Sequence, residues 1–174
     1  VFALCLATAC GTEDADPNQA TPPSGLLSDV TVNVDGVDRV YDLFIPDPLP
    51  EGPIPLLMAF HGGSGRDFPY PQQTKFQTLA NTEGFLIAYP LSELLPQNEG
   101  EWQLNTQDDA RQDIRYVEAI IDQIASRFSL DEEKVYATGY SLGSMFTYEL
   151  ACHMSGHFTA IASHAGTMPV SPNS

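Results

Sequence analysis

The sequence predicts an α/β fold: a mostly parallel sheet with helices on both faces, preceded by an N-terminal β-hairpin. Strand-like apolar runs alternate along the chain with helix-like segments, an order typical of parallel strands joined by helices. Two glycine-rich segments, "HGGSG" and "GYSLG", each follow a strand-like run directly. Binding and active sites of such sheets lie beyond the carboxyl ends of the strands, so both segments are predicted to lie at a site.

The first part of the fold is predicted to be a hairpin followed by a buried strand. "VTVNVDGVDRVYDLFIP" contains two alternating runs on either side of Asp35-Gly36, a strong hairpin signal. "IPLLMAF", residues 54–60, is a continuous apolar run that ends at "HGGSG", as expected of a strand buried on both faces. "FQTLANTEG" predicts a short helix that ends at Gly84, and "FLIAYP" predicts another buried strand.

The second part continues the alternation after an irregular stretch, residues 91–106, that contains the single tryptophan, Trp102. Residues 108–128 predict the clearest amphipathic helix, because their apolar residues are spaced by three and four. "KVYAT" predicts the next strand, the segment after "GYSLG" predicts a helix, and "FTAIASHAG" predicts one more strand. The expected order is therefore a hairpin followed by β-α-β-α-β-α-β.

The first 26 residues are predicted to be an export and tether region. Residues 1–10, "VFALCLATAC", are apolar and small but too short to span a bilayer, which indicates the end of an export signal. The run that ends at Cys10 resembles a bacterial lipoprotein cleavage box, with Cys10 acylated; ordinary secretion and a buried N-terminal segment are the alternatives. Residues 11–26 predict a flexible, acidic, proline-rich linker, and residues 27–174 the folded domain. The expected location is the bacterial envelope or the extracellular region.

Composition sets the class of partner. The 174 residues are 43% hydrophobic, which is enough for one globular core, and the formal net charge is −16. This charge argues against nucleic acid or an anionic membrane surface as a partner, so a membrane contact is expected only through a lipid on Cys10. Neutral substrates, small or polymeric, fit the charge better. Cys152 is the cysteine that remains in the folded domain, and it is either buried or short of a partner.

The pentapeptide Gly139-x-Ser141-x-Gly143 is the motif with the clearest chemistry. Alone it is weak evidence, but here it lies between a predicted strand and a predicted helix. A serine at such a corner needs strained backbone angles, and the flanking glycines remove the Cβ atoms that would collide with it and with the helix. The corner exposes the hydroxyl and directs the first helical amides, including that of Leu142, at negative charge that develops beside Ser141. Ser141 is therefore a candidate nucleophile.

Taken together, these features resemble the α/β-hydrolase fold, and more narrowly the secreted esterases of the polyhydroxybutyrate depolymerase and feruloyl esterase type. The resemblance covers about residues 30–169 and rests on "RVYDLFIP", "AFHGGSG", "GFLIAYP", the long run from "DDARQDIRYV" through "GYSLGSMFTYELA", and "FTAIASHAGTMP". It implies that Ser141 is the nucleophile and that the backbone amides of Gly63 and Leu142 form the oxyanion hole. It also implies hydrolysis of neutral carboxylic esters, of polyhydroxyalkanoates or of feruloylated or acetylated polysaccharides, through an acyl-enzyme, without a metal or other cofactor.

Four histidines receive different expectations. The resemblance implies that His61 holds the glycine-rich loop. His164 follows a predicted strand and is a candidate residue of the substrate pocket. His153 and His157 lie near the end of the helix after Ser141, where solvent-facing or helix-capping roles are commoner than catalysis.

Two further assignments rest on position in the chain. Trp102 is either a packing anchor or part of the substrate wall. Asp108, Asp109 and Asp113 crowd the first turns of a predicted helix, where carboxylates favour the helix dipole.

The rest of the catalytic machinery is missing from the expected order. In the family the acid and the base follow the nucleophile, but no Asp follows Ser141 here, and the later histidines lie too close to it in sequence. We therefore expect an N-terminal portion of an α/β-hydrolase, incomplete at its C-terminus and inactive by itself. The alternatives are a lipid-anchored binding protein of the same fold without catalysis, and a peptidase or other acyl hydrolase of the fold.

Overall fold

The computed structural model describes residues 23–63, 69–93, 101–104 and 111–169. These ranges form one six-stranded sheet, in the order β1-β2-β4-β3-β5-β6, and four helices. The elements are β1 (Gly25–Val34), β2 (Val37–Ile45), β3 (Ile54–Phe60), α1 (Tyr70–Thr74), α2 (Phe76–Glu83), β4 (Leu86–Pro90), α3 (Gln112–Ala125), β5 (Leu130–Tyr140), α4 (Leu142–His153) and β6 (Ala160–His164). β4, β3, β5 and β6 pair in parallel, whereas β1, β2 and β4 pair antiparallel. The predicted fold class is confirmed.

The hairpin turns at the predicted dipeptide. Val34 pairs with Val37, which leaves Asp35 and Gly36 as a two-residue loop. Their φ angles are 53° and 86°, the pair of positive values that a type I′ turn requires. Asn33 supports the turn, because its Oδ1 accepts a 3.1 Å hydrogen bond from the Gly36 amide.

Both faces of the central strand β3 are covered, as its apolar run predicts. Leu56, Met58 and Phe60 of β3 point to the side where α3 and α4 pack, in the larger core. The intervening Ala59 lies in a second core with Ala80 of α2. A strand between two helical layers has no polar face, which explains why "IPLLMAF" lacks the polar alternation of the hairpin strands.

Helix α3 is shorter than the periodicity predicts. Arg111 has non-helical angles and the helix begins at Gln112, while residues 105–110, including Asp108 and Asp109, lie outside the described residues. At the other end the helix stops at Ala125, yet Phe128 stays buried and its amide donates a 2.9 Å hydrogen bond to the Ile124 carbonyl oxygen. The apolar spacing therefore continues past the helix, because a turn carries one more side chain into the core.

Two details add to the order expected from the sequence. β1 begins at Gly25, because Gly25 and Leu26 already pair with Ile45 and Phe44. The five-residue helix α1 was not predicted, since it is too short to show a helical period. Residues 1–22, with Cys10, lie outside the described residues. No helix within the described ranges is long and apolar enough to cross a bilayer.

Candidate active site

Ser141 is the single residue between β5 and α4, and its backbone is strained. Its φ and ψ are 51° and −116°, a region that residues other than glycine rarely adopt. The amide of Ser141 donates a 2.9 Å hydrogen bond to the His164 carbonyl oxygen, and its own carbonyl oxygen accepts one of 3.1 Å from the Met145 amide. The first bond ties the corner to β6 and the second begins α4. The predicted strand-to-helix corner is therefore present.

The two glycines of the pentapeptide lie where no Cβ atom fits. A Cβ built on Gly139 would lie 2.2 Å from the Gly143 carbonyl oxygen, and one built on Gly143 would lie 2.3 Å from the His61 carbonyl oxygen. Gly139 therefore lets the first turn of α4 approach β5, and Gly143 lets the same turn approach the end of β3. Both contacts are with backbone, which cannot rotate away, so the local packing demands glycine at both positions.

The glycine-rich loop after β3 lies beside Ser141. A Cβ on Gly62 would lie 3.4 Å from Ser141 Cβ, and one on Gly63 would lie 3.9 Å from Leu142 Cδ2. The structure thus brings together Gly63, Ser141 and Leu142, the predicted nucleophile and the two residues predicted to donate to an oxyanion. Leu142 is the first residue of α4, and the first four amides of a helix have no acceptor within it. Their dipoles favour negative charge at this point.

His61 is built into the structure at three atoms. Its Nδ1 lies 2.7 Å from the Gly62 carbonyl oxygen, its Nε2 accepts a 3.2 Å hydrogen bond from the Ser92 amide, and its own carbonyl oxygen accepts one of 2.9 Å from Trp102 Nε1. Because a carbonyl oxygen can only accept, the proton of the neutral ring resides on Nδ1. The side chain is buried. These contacts support the loop-holding role rather than that of a base.

Trp102 packs in the core beneath the loop. It is 3% exposed, its ring stacks on Phe146 of α4 at 5.0 Å and 11°, and it meets the Phe60 ring edge-on at 5.3 Å. Of the two roles left open by the sequence, the contacts favour the packing anchor, because a buried indole offers little surface to a substrate. The tryptophan links α4, β3 and the glycine-rich loop.

His164 ends β6 and is exposed. Its ring lies 5.5 Å from the ring of Tyr140, which ends β5. Both residues line a cavity of about 330 Å³ between the strand ends and the helices α1 and α2, where Tyr70 and Phe76 form the opposite wall. The role of His164 in a substrate pocket stays a prediction, but its place at this cavity supports it.

His153 and His157 lie far from the corner. His153 Nε2 is 3.3 Å from Glu149 Oε2, one turn earlier in α4, and His157 belongs to the turn after the helix. The helix has 12 residues, so His153 lies about 18 Å along the axis from Ser141. These positions agree with helix-end roles.

Asp113 lies in the first turn of α3, as the sequence predicts, and it also has a buried partner that was not predicted. The residue is 3% exposed. Its Oδ1 lies 2.6 Å from Nη1 of buried Arg39, and its Oδ2 accepts a 2.8 Å hydrogen bond from the Gln103 amide. A sequence signal existed: Arg39 is in phase with inward-facing Tyr41, and Asp113 is in phase with Val117.

Gly166 is a site residue that the sequence did not reveal. A Cβ built there would lie 2.6 Å from Ser144 Oγ and 2.7 Å from the Ser141 carbonyl oxygen. The segment after β6 therefore passes directly over the first turn of α4. No local pattern in "SHAGT" indicates this approach, since only the tertiary fold brings the two segments together.

The order of the strands defines an α/β-hydrolase fold. The strained backbone of Ser141 and the neighbouring glycine-rich loop, residues 61–63, agree with it. The acetyl xylan esterase structure from Aspergillus awamori superimposes with a TM-score of 0.72 at 21% identity, over 83% of this chain and 53% of that one. Residues 39–172 match the model of the family described as esterase PHB depolymerase, and the chain belongs to this family.

Two curated relatives carry the name acetylxylan esterase. The bifunctional acetylxylan esterase/xylanase XynS20E of Neocallimastix patriciarum is 32% identical over 133 residues, which are 75% of this chain and 18% of that protein. Acetylxylan esterase A of Emericella nidulans is 27% identical over 168 residues, 94% of this chain and 53% of that one. The chain thus spans about half the length of the second relative and less of the first.

Proposed function

We propose that the chain belongs to an exported serine esterase that hydrolyses neutral carboxylic esters through an acyl-enzyme on Ser141. The observation that carries the proposal is the strained Ser141 between β5 and α4, with Gly63 and Leu142 beside it. A serine in an ordinary turn does not need a positive φ. Nor does it need glycines in close contact with neighbouring backbone, as Gly139, Gly143 and Gly166 are here. The strain indicates that the hydroxyl is held in one place for chemistry.

The proposed reaction has two acyl-transfer steps. Ser141 Oγ attacks the ester carbonyl carbon while a general base takes its proton, and the carbonyl oxygen becomes negative and accepts hydrogen bonds from the amides of Gly63 and Leu142. The carbon–oxygen bond to the alcohol then breaks, and the base returns the proton to the departing alcohol. Water attacks the acyl-enzyme in the same manner and releases the acid and Ser141.

We assign no general base among the described residues. His61 Nε2 already accepts the Ser92 amide, and His153 lies at the opposite end of α4. His164 lies nearer, but its backbone carbonyl is the group that contacts Ser141.

A neutral acyl group on a polymer or a small alcohol is the proposed substrate. The net charge of −16 disfavours anionic substrates, and two relatives carry the name acetylxylan esterase. Acetylated or feruloylated polysaccharides and polyhydroxyalkanoates are therefore the classes to test first. Export, with Cys10 as the site of a lipid anchor, is part of the proposal and rests on residues 1–26.

The test compares Ser141→Ala with Ser155→Ala in the full-length protein. Ser155 is exposed in the turn after α4 and serves as the matched control. We expect Ser141→Ala to abolish labelling by a fluorophosphonate and to lower kcat for nitrophenyl acetate at least about a thousand-fold, since losing a nucleophile removes the covalent route. Ser155→Ala should behave as the parent.

Three results would contradict the proposal in different ways. If Ser141→Ala retained a tenth of the parent rate, Ser141 would be excluded as the nucleophile. Faster cleavage of peptides than of esters would favour a peptidase of the same fold. A folded parent that neither turns over esters nor reacts with the fluorophosphonate would favour a binding protein without catalysis.

A further inference from the structure

We propose that the buried ion pair between Arg39 and Asp113 positions the oxyanion loop, residues 61–63, through two chains of hydrogen bonds that converge on His61. The inference rests on the proposed function, and it assigns Arg39 and Asp113 as positioning residues of that site. The hydrogen bonds of Arg39 and Asp113 go to each other, to Leu91 and to Gln103, not to the loop.

The ion pair is almost completely buried. Arg39 Nη1 lies 2.6 Å from Asp113 Oδ1, and each side chain is 4% exposed. The guanidinium carbon lies 3.8 Å above the ring of Tyr116. Removing two charges from water is costly and is seldom repaid in stability alone, so an ion pair at this depth calls for another explanation.

The first chain of contacts starts from Asp113. Its Oδ2 accepts a 2.8 Å hydrogen bond from the Gln103 amide, and Gln103 Oε1 in return lies 3.4 Å from the Asp113 amide. The neighbouring Trp102 donates from Nε1 to the His61 carbonyl oxygen at 2.9 Å. Asp113 therefore fixes the segment that holds the backbone of His61.

The second chain starts from Arg39. Its Nη2 donates to the Leu91 carbonyl oxygen at 3.3 Å. The next residue, Ser92, is fully buried and donates its amide to His61 Nε2 at 3.2 Å. Arg39 therefore fixes the segment that holds the ring of His61. The two chains of contacts thus reach the same residue, one at its backbone carbonyl and the other at its ring.

The two segments that hold His61 lack regular secondary structure. Residues 91–93 and 101–104 belong to no helix or strand, although the Leu91 amide donates to the Val40 carbonyl oxygen of β2 at 3.3 Å. The ion pair adds a constraint on both segments, through the Leu91 carbonyl oxygen and the Gln103 amide. Because Gly62 and Gly63 follow His61 directly, movement of His61 would displace the amides that receive the oxyanion.

The expected effect follows from when the oxyanion forms. Its charge develops in the transition state, so a displaced donor lowers kcat and leaves KM nearly unchanged. Complete loss of one such donor costs about a hundred- to a thousand-fold in kcat. A donor that is displaced but still present should cost about ten- to a hundred-fold.

The experiment measures kcat and KM of the full-length protein carrying Arg39→Met or the double change Arg39→Met/Asp113→Leu. The double variant leaves no buried charge unpaired, so it is expected to fold even if the single variant does not. The control is Arg115→Met, which breaks another 2.6 Å ion pair between the same hairpin and the same helix, that of Arg115 with exposed Asp35. We expect a ten- to hundred-fold lower kcat with KM within two-fold for the double variant, and parent values for the control.

Three outcomes decide the matter. A folded double variant with kcat within two-fold of the parent would overturn the positioning role. Equal losses in the double variant and in Arg115→Met would also overturn it, since they would reflect general destabilisation. A parent that has no esterase activity and no reactive Ser141 would instead refute the proposed function, and the inference would fall with it.

Discussion

The amide of Ser141 donates a hydrogen bond to the carbonyl oxygen of His164, at 2.9 Å. This bond joins the end of β5 to the end of β6 and continues the parallel pairing, in which Tyr140 lies opposite His164. The corner that carries the candidate nucleophile is therefore held by its neighbouring strand as well as by its own helix. Two residues beyond His164 the chain packs against the same corner at Gly166.

Gly166→Ala tests this packing. The added methyl would meet the Ser141 carbonyl oxygen and the Ser144 side chain at less than 3 Å, so we expect a loss of about 1–3 kcal/mol in the free energy of unfolding. Chemical denaturation measures the loss. Gly156→Ala is the control, because a Cβ there meets nothing within 4 Å. Equal stability of the two variants would show that the segment after β6 does not approach α4.

Backbone strain at Ser141 predicts an order of stability among variants that all lack the hydroxyl. Positive φ costs a residue other than glycine about 1–3 kcal/mol, which glycine avoids. Part of that advantage is lost because glycine has a larger conformational entropy in the unfolded chain. We therefore expect Ser141→Gly to be about 1 kcal/mol more stable than Ser141→Ala. The same pair of substitutions at Ser155, which has no positive φ, should favour alanine. Alanine being the more stable residue at both positions would exclude strain at the corner.

Tyr41, which is buried, and Tyr70, which is partly buried, predict a loss of stability at alkaline pH. Desolvation raises the pKa of Tyr41 to about 12, with the charge of Arg127 lowering it in part, and desolvation also raises that of Tyr70 to about 12. An unfolded tyrosine titrates near pH 10. Between about pH 10 and 12 the unfolded chain releases protons that the folded chain retains, so the free energy of unfolding falls as pH rises.

Tyr41→Phe isolates one of these groups. Removing it should reduce the alkaline slope by up to about 1.4 kcal/mol per pH unit, measured by denaturation at pH 10, 11 and 12. At neutral pH the variant loses only the hydrogen bond from Tyr41 to Gln123 Oε1. Parallel stability curves for variant and parent across this range would contradict the prediction.

Cys10 gives a prediction about location. If Cys10 is acylated, the protein made in its own cell partitions with membranes, and Cys10→Ser releases it in soluble form. Cell fractionation and mass spectrometry of the mature N-terminus measure both effects. Recovery of native protein with "VFALCLATA" intact would exclude cleavage before Cys10.

The fold class and the corner could be predicted from the sequence because their signals are local. Two-residue turns need residues that tolerate positive φ, which Asp35-Gly36 supplies. A strand between two helical layers is apolar throughout, as residues 54–60 are. The pentapeptide around Ser141 places glycines at the contacts that the corner requires. Each of these constraints acts over a few neighbouring residues, so a short stretch of sequence is enough to show it.

What the tertiary structure decided depends on residues far apart in the chain. Arg39 and Asp113 are 74 positions apart, and only the docking of α3 on the hairpin joins them. An aspartate in the first turn of a helix has a sufficient local explanation, so the sequence favoured a helix-dipole role over a buried partner. The role of Trp102 likewise depends on distant residues, because its ring contacts Phe146 and its Nε1 bonds to His61. Phase with an inward-facing neighbour can indicate that Arg39 or Asp113 is buried, but the pairing of distant charges and rings is set by packing between elements.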